Sequence, residues 1–387
     1  MPHSRVTTPS FWLGALLAFT LAGALAVLAR DFLNGGNDWK QADWLINDEQ
    51  IFVRRGLLGS LLIRGADLLA VGPLLATVAL QAALAAATTW LTWKACIRQT
   101  VTAKLLLVVA SAGFFLVFWN ADRQGAWRKE LFVFLSLAIL AYGATFPALP
   151  RWQRIASALV FVAGIAAHEG LIFFLPLYLV ALHFAWGNLL TRERRGLVAL
   201  FLLAVAAAFL SNIVQPRLET VDPVCRPLLD RGLTADFCDG AIEALTHRLG
   251  EEMAAAAEMV TAGGLAQVLL AYGLCLLPFA VYVADGRDTD RRLPLLLAAV
   301  GLPFAALYPV AIDWGRWISF HMTGAVYLLL VLRARGLAPE GARSWPLPVL
   351  VGIGLLPWAV AFSHVGATLW LGPVVRAVAR AAVAVAS

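Results

Sequence analysis

The sequence has little charge for its length: Asp, Glu, Lys and Arg make up 14% of 387 residues, where a soluble domain carries about 25%. Apolar residues fill 61% of the chain and mean hydropathy is +0.78. That shortage of charge excludes an ordinary soluble enzyme and predicts a polytopic membrane protein. A separate soluble domain is also lacking, since the longest polar interruption runs only over 215–263. Cysteine is scarce, at four residues with no CxxC pair and no metal-ligand spacing, so a zinc or redox centre is not expected. No Gly-x-Ser-x-Gly, Walker or Rossmann glycine pattern falls where it would matter. His168-Glu169-Gly170 is not HExxH, which excludes a zincin. No two apolar runs carry the aspartate dyad of an intramembrane protease, and few charges lie inside a run, which argues against proton pumps and ion-coupled transporters. A repeat at fixed period is missing too, against a repeat-built transporter. The first apolar run is followed by Arg30-Asp31 rather than a small-residue cleavage site, so it reads as a retained span.

What is present is apolar runs. A span needs about 20 mostly apolar residues. Eleven candidates emerge: 11–29, 71–93, 105–119, 131–146, the short 155–167, 171–186, 197–214, 265–284, 293–312, 318–332 and 347–363. The expected fold is all-α, with about eleven transmembrane helices in one domain over 1–387. The stretch 367–387, with Arg376 and Arg380 among alanines and valines, reads as an interfacial helix. The run 57–70, interrupted by Arg64 and Asp67, reads as interfacial or re-entrant, and the parity of every later loop depends on that reading.

Orientation follows from lysine and arginine. One alternating set of loops holds 15 basic residues against five acids: Arg5; Lys94, Arg98 and Lys104; Arg151 and Arg154; Arg192, Arg194 and Arg195; Arg287, Arg291 and Arg292; Arg333, Arg335 and Arg343. The other set holds as many basic residues but 19 acids. The first set consists of short, simple loops and is placed in the cytoplasm. The outer face then receives 30–70, 120–130, the His168–Gly170 turn, 215–263 and the 313–317 junction. The net charge of +6 is spread through loops, so membrane lipids rather than nucleic acid are the expected partners. Cys225 and Cys238 share one outer loop and could pair as a disulfide in an oxidising compartment. Residues 240–259 carry apolar positions at helical spacing, which suggests a helix lying on the membrane or closing over a cavity.

Every charged junction falls on that outer face. Arg54 and Arg55, with Gly56 and Gly59, offer planar forks suited to phosphate oxygens; the plain alternative is a headgroup anchor. Arg128 and Lys129, ahead of Glu130, form a second anion clamp or a solvated helix end. His168 and Glu169 stand between two apolar runs, as a general base with its orienting partner or as a buried pair joining helices. Asp313 and Arg316 are spaced to pair across one turn, with His321 a turn further on. Trp39, Trp314 and Trp317 are candidate sugar-stacking indoles or interfacial anchors.

The series Phe-Val-Arg-Arg-Gly-Leu-Leu-Gly at 52–59, Arg-Lys-Glu at 128–130, His-Glu at 168–169 and Asp-Trp-Gly-Arg-Trp at 313–317 resembles bacterial O-antigen and exopolysaccharide polymerases, within the GT-C superfamily of membrane glycosyltransferases. The resemblance implies transfer of a sugar or repeat unit from a polyprenyl-linked donor to a glycan acceptor on the outer face of the inner membrane. Arg54, Arg55, Arg128, Lys129, Arg316 and His321 would hold the leaving phosphate. Glu169, His168, Asp48, Glu49 or Asp313 would take the acceptor's proton. The superfamily pattern favours Asp48 or Glu49, the apolar surroundings favour Glu169, and related ligases point to His168 or His321. No cofactor is required, although some members use a divalent metal. The alternatives are a single-sugar transferase or an O-antigen ligase, an acyltransferase, and, outside enzymes, a transporter or lipid flippase. An acyltransferase would want a histidine near the first span, which 11–29 lacks.

Overall fold

The computed structural model describes residues 8–122, 124–215, 218–261, 264–284, 292–340, 344–362 and 367–369. The interfacial helix expected over 367–387 lies outside them, apart from 367–369. In chain order the helices are α1 Thr8–Leu33, α2 Gly56–Leu68, α3 Pro73–Ile97, α4 Ala103–Val109, α5 Phe115–Ala121, α6 Leu131–Ala144, α7 Arg151–Ala167, α8 Leu175–Trp186, α9 Arg192–Ile213, α10 Asp222–Leu229, α11 Leu249–Thr261, α12 Gly264–Val283, α13 Arg292–Ala299, α14 Leu302–Ala305, α15 Trp314–Ala334 and α16 Leu347–Ala359. One short antiparallel pair, β1 Val360–Phe362 with β2 Ala367–Leu369, follows α16 with Val360 opposite Leu369.

Among the described residues six helices are long and apolar enough to cross a membrane: Pro9–Leu33, Pro73–Ile97, Glu169–Trp186, Arg192–Ile213, Leu265–Val283 and Trp314–Ala334. The protein is therefore an α-helical membrane protein. Two of the eleven sequence runs, 105–119 and 293–312, are broken instead into the pairs α4–α5 and α13–α14. Their composition is apolar throughout, and tertiary contacts make the breaks. At Gly113 a side chain would meet Met322 of α15, and the Phe115 amide freed there donates to the Thr323 hydroxyl at 2.9 Å. At Gly301 a side chain would meet the His321 ring, whose Nε2–H donates to the Leu297 carbonyl at 2.7 Å. Broken helices survive at depth where protein satisfies the freed backbone.

α15 is the central helix: 89% of its apolar window is buried, against 17% for peripheral α9. α6 packs beside it and is apolar all round, which suits a fully enclosed helix; of its residues only Tyr142 escapes burial. These two helices carry the site at one end. At the other end, Trp186 lies under Arg154 and Arg194, at 4.0 and 5.0 Å, and Arg98 covers Phe146 at 4.1 Å.

The loop after α1 folds back into the protein through the buried turn Asp43–Leu45. A second small core joins Leu45, Ile46, Val53 and Ile63 to Val224, Phe237, Ile242 and Leu245, and Cys225 is disulfide-bonded to Cys238 within it. Helix α2 has 13 residues, about 20 Å at 1.5 Å per residue, well under the ~30 Å of a bilayer core. Arg55, at its start, binds Glu169, and Asp67, at its end, binds Arg231, which also holds Glu49. Both ends thus lie on the same side, and α2 runs along that face.

Candidate functional site at the charged end

Two residues with left-handed backbones aim the site. Trp127 has φ +62° and Arg55 φ +67°, conformations that bulky residues adopt only when their surroundings enforce them. The Trp127 carbonyl accepts from the Trp44 indole at 2.8 Å and from Gln81 Nε2 at 2.7 Å. That double hold turns the chain so that Arg128, Lys129 and Glu130 enter the protein, where all three are buried. The Arg55 amide donates to Asn212 Oδ1 at 2.7 Å, and Asn212 Nδ2 reaches the carbonyls of Ile165 and Ala166 at 3.1 Å. Arg55 is thereby fixed against the end of α7.

From these anchors a line of charges forms. Arg55 grips Glu169 through Nε at 2.9 Å from Oε2 and Nη2 at 2.5 Å from Oε1. Arg54 Nη1 and His168 Nδ1 each lie 3.9 Å from the same carboxylate. Lys129 Nζ lies 3.6 Å from Asp43 Oδ1, both fully buried. Arg316 bonds Asp313 at close range and Glu130 at 3.2 Å. Arg128 stands over the Trp39 ring at 5.3 Å. Asp43 lies within electrostatic reach of Lys129, His168, Arg55 and Arg128, so the pairs form one cluster. The cations Arg54, Arg55, Arg128, Lys129 and Arg316 interleave with the carboxylates Asp43, Glu130, Glu169 and Asp313, with Asp38 within reach of Arg128 and Glu252 within reach of Arg54 at the edges.

The line holds unmatched donors. Among the described residues Arg128 Nε, Lys129 Nζ and Arg316 Nε are buried and find no hydrogen-bond acceptor, and neither does the Trp317 indole N–H. Buried donors are nearly always satisfied in folded proteins, so a group of orphans on cations suits an oxyanion guest. Burial pushes the Lys129 ammonium down to about 8, against the pull of Asp43. Burial raises the Asp43 carboxyl, but the cations around it, Lys129 foremost with Arg55 and Arg128, more than offset it and hold it below its ordinary value. Burial, with Arg55 beside it, pushes His168 down to about 3, so its imidazole is neutral near pH 7. Its Nδ1 accepts from the Gly170 amide at 3.0 Å, which puts the proton on Nε2 and makes His168 a hydrogen-bond donor there.

Beyond Arg316 the line meets an apolar cavity of about 720 Å³. Its walls are the apolar face of α11 (Met253, Ala256, Val260), Val268 and Tyr272 of α12, and the rings of Trp314 and Trp317.

Arg54, Arg55, Arg128, Lys129, His168, Glu169, Asp313 and Arg316 are thus brought together. Asp48 and Glu49 are not: Asp48 bonds the Ser60 hydroxyl and Glu49 is taken by Arg231 at 3.0 Å. His321 faces the apolar cavity, where it accepts from the Tyr272 hydroxyl and ties α13 to α15. The acid of the first loop that does enter is Asp43, which sequence reasoning missed. Its signal was an acid inside the apolar run Ala42-Asp43-Trp44-Leu45-Ile46, the same signature that singles out Glu169. Among the described residues no group of three His, Cys, Asp or Glu side chains is placed to hold a metal ion.

Comparison with known proteins finds no family model, no curated protein and no solved structure that matches the chain, so its function rests on the argument from these residues.

Proposed function

We propose that this protein is a multi-pass glycosyltransferase of the bacterial inner membrane. It moves a sugar or oligosaccharide repeat from a polyprenyl phosphate or pyrophosphate to a glycan acceptor on the periplasmic face, as a polysaccharide polymerase. The observation that carries the reading is the set of buried, orphaned donors on Arg128, Lys129 and Arg316, set beside an apolar cavity. An amphiphile with an anionic head and an isoprenoid tail matches both halves at once.

In this reading Arg128, Lys129 and Arg316 neutralise the charge that grows on the leaving phosphate, and the first isoprene units lie against Trp314, Trp317 and Met253. Asp43 Oδ2, buried and without a hydrogen-bond donor among the described residues, takes the proton of the acceptor hydroxyl. Glu169 positions Arg55, and Trp39 offers its ring to a sugar. The broken helices α4–α5 and α13–α14, with α6, α7 and α16, complete the eleven membrane passages. In the six candidate spans acidic and basic side chains keep to the helix ends. That pattern favours chemistry at one face over a transport path through the middle.

The test is a gel of surface polysaccharide from the parent organism with and without this gene. Collapse of a ladder of long chains to a single repeat unit is the polymerase result. Loss of one sugar at unchanged chain length marks a single-sugar transferase, and an unaltered profile overturns the glycan reading. Orientation is read with Phe52→Cys and Leu190→Cys, both exposed positions in a chain whose free Cys96 and Cys275 are buried. An impermeant maleimide labels the first from outside and the second only after permeabilisation; the reverse pattern inverts the topology.

A further inference from the structure

A second cavity, of about 440 Å³, opens at the N-terminal end of α11, lined by Arg54, Glu169, Asn212, Gln215, His247 and Arg248 with a few apolar neighbours. It lies within the size range of small-molecule sites, ~300–1,000 Å³. The apolar cavity meets the line of charges at Trp317, next to Arg316; this polar one meets it at Arg54 and Glu169, the other end. A reaction joining two substrates at that line therefore has two separate approaches, one greasy and one wet.

The wet approach presents two guanidinium groups, those of Arg54 and Arg248. Glu169 is gripped by Arg55, and Glu252, near the rim, hydrogen-bonds His247 at 2.9 Å and lies within electrostatic reach of Arg54. Arg54 reaches Glu169 only at 3.9 Å, beyond hydrogen-bond range. Arg248 binds Glu251 through its backbone amide at 2.9 Å, while its guanidinium has no carboxylate partner among the described residues. Two guanidinium forks on one small cavity suit a carboxylate or phosphate. Leu245 and Leu249 in the wall give a sugar's C–H face something to rest on.

We infer that this cavity binds the acceptor, and that it selects a glycan bearing an acidic substituent, a uronic acid carboxylate or a sugar phosphate. The inference rests on the glycosyl-transfer reading and adds to it the chemical class of the acceptor. Arg54 and Arg248 hold the acidic group at the cavity mouth, and the sugar next to it extends past Glu169 towards Asp43.

The experiment is calorimetry on the full chain in lipid nanodiscs with three probes: a glucuronate-containing disaccharide, a neutral disaccharide of the same linkage, and inorganic phosphate. The acidic disaccharide binds roughly tenfold or more tighter than the neutral one, and Arg54→Gln and Arg248→Gln each remove roughly that factor. Binding weakens with added salt. Arg248→Lys, which keeps the charge and loses the fork, recovers part of the affinity. Equal binding of the two disaccharides, or no effect of Arg248→Gln, overturns the inference. So does binding of inorganic phosphate that the acidic disaccharide fails to displace, which marks an anion site without a sugar. Failure of the wider reading looks different. If deleting the gene leaves the polysaccharide unaltered while the acidic disaccharide binds, transfer is refuted and the acidic-sugar site stands. If the ladder collapses while both disaccharides bind alike, the acceptor inference alone falls.

Discussion

Arg55 and Glu169, 114 residues apart, are joined by three hydrogen bonds of 2.5–3.1 Å. Their side chains are only 21% and 17% exposed, so water screens the pair far less than it would a surface ion pair. The bond ties the start of α2 to the turn after α7 and keeps Arg55 in its left-handed backbone. It also links the polar cavity to the buried Asp43–Lys129 pair, since Arg55 lies within electrostatic reach of Asp43.

Glu169→Gln leaves Arg55 without its counter-charge and removes the carboxylate nearest Arg54. Removing one partner of a fully buried pair costs about 3–5 kcal/mol; partial exposure here reduces the expectation to about 2–3 kcal/mol. Arg55→Lys keeps the charge but loses the fork, with a smaller loss of about 1 kcal/mol, and both variants shorten the polysaccharide because the cation that Glu169 positions is displaced. Thermal unfolding of both variants in detergent, read beside the glycan gel, checks this. A Glu169→Gln protein as stable as wild type removes the pair from the account.

Two glycines of α2 respond in opposite directions. A Cβ on Gly59 would overlap the backbone carbonyl of Ile46, while a Cβ on Gly65 meets nothing within 4 Å. Gly59→Ala therefore pushes the first loop off the helix and lowers stability by about 2 kcal/mol or more. Gly65→Ala gains about 0.5–1 kcal/mol from helix propensity. Melting temperatures of the two variants give the comparison, and equal shifts contradict the close approach of loop and helix.

The convergence of charged junctions was legible because each one ends an apolar run. An ionised group cannot be left in hydrocarbon, so the alternation of runs and loops sorts Arg55, Lys129, Glu169 and Arg316 to one end. Which acid of the first loop enters was not legible. Asp43 is drawn in and Glu49 is drawn away by Arg231, 182 residues distant, and no local pattern encodes that choice. The breaks at Gly113 and Gly301 were hidden for the same reason. Their surroundings are apolar, and Met322, Thr323 and His321 on another helix decide them.

The Cys225–Cys238 bridge closes a loop with a sequence separation of 13 and pins the segment that covers the first loop. A loop of that size gives about 3 kcal/mol in the chain-entropy account. Cys225→Ser with Cys238→Ser loosens the second core around Phe237 and Ile242, and with it the Arg231–Glu49 contact. Limited proteolysis then cuts within 218–245 before any site in α6 or α15, and reductant does the same to the wild-type protein. Simultaneous cleavage everywhere means that this segment does not unfold by itself.

Lys129 and Asp43 set the pH response. The Lys129 ammonium sits at about 8 in the folded protein against 10.5 for an ordinary lysine. Between those values the unfolded chain binds a proton that the folded protein does not, so stability rises as pH rises through that window. Below about pH 8 both states are protonated and the burial penalty is present in full. Relative to Lys129→Met, which has no proton to lose, the wild-type melting temperature therefore climbs from pH 8 to pH 10. Asp43→Asn takes away the carboxylate that supports the ammonium, so the window opens at lower pH. Transfer follows another course: Asp43→Asn abolishes it at every pH, because no proton acceptor is left beside the acceptor hydroxyl. Lys129→Arg retains a charge that does not titrate and flattens any alkaline loss of activity. A full polysaccharide ladder from Asp43→Asn would reduce the pair to a structural role and pass the base to another carboxylate of the line.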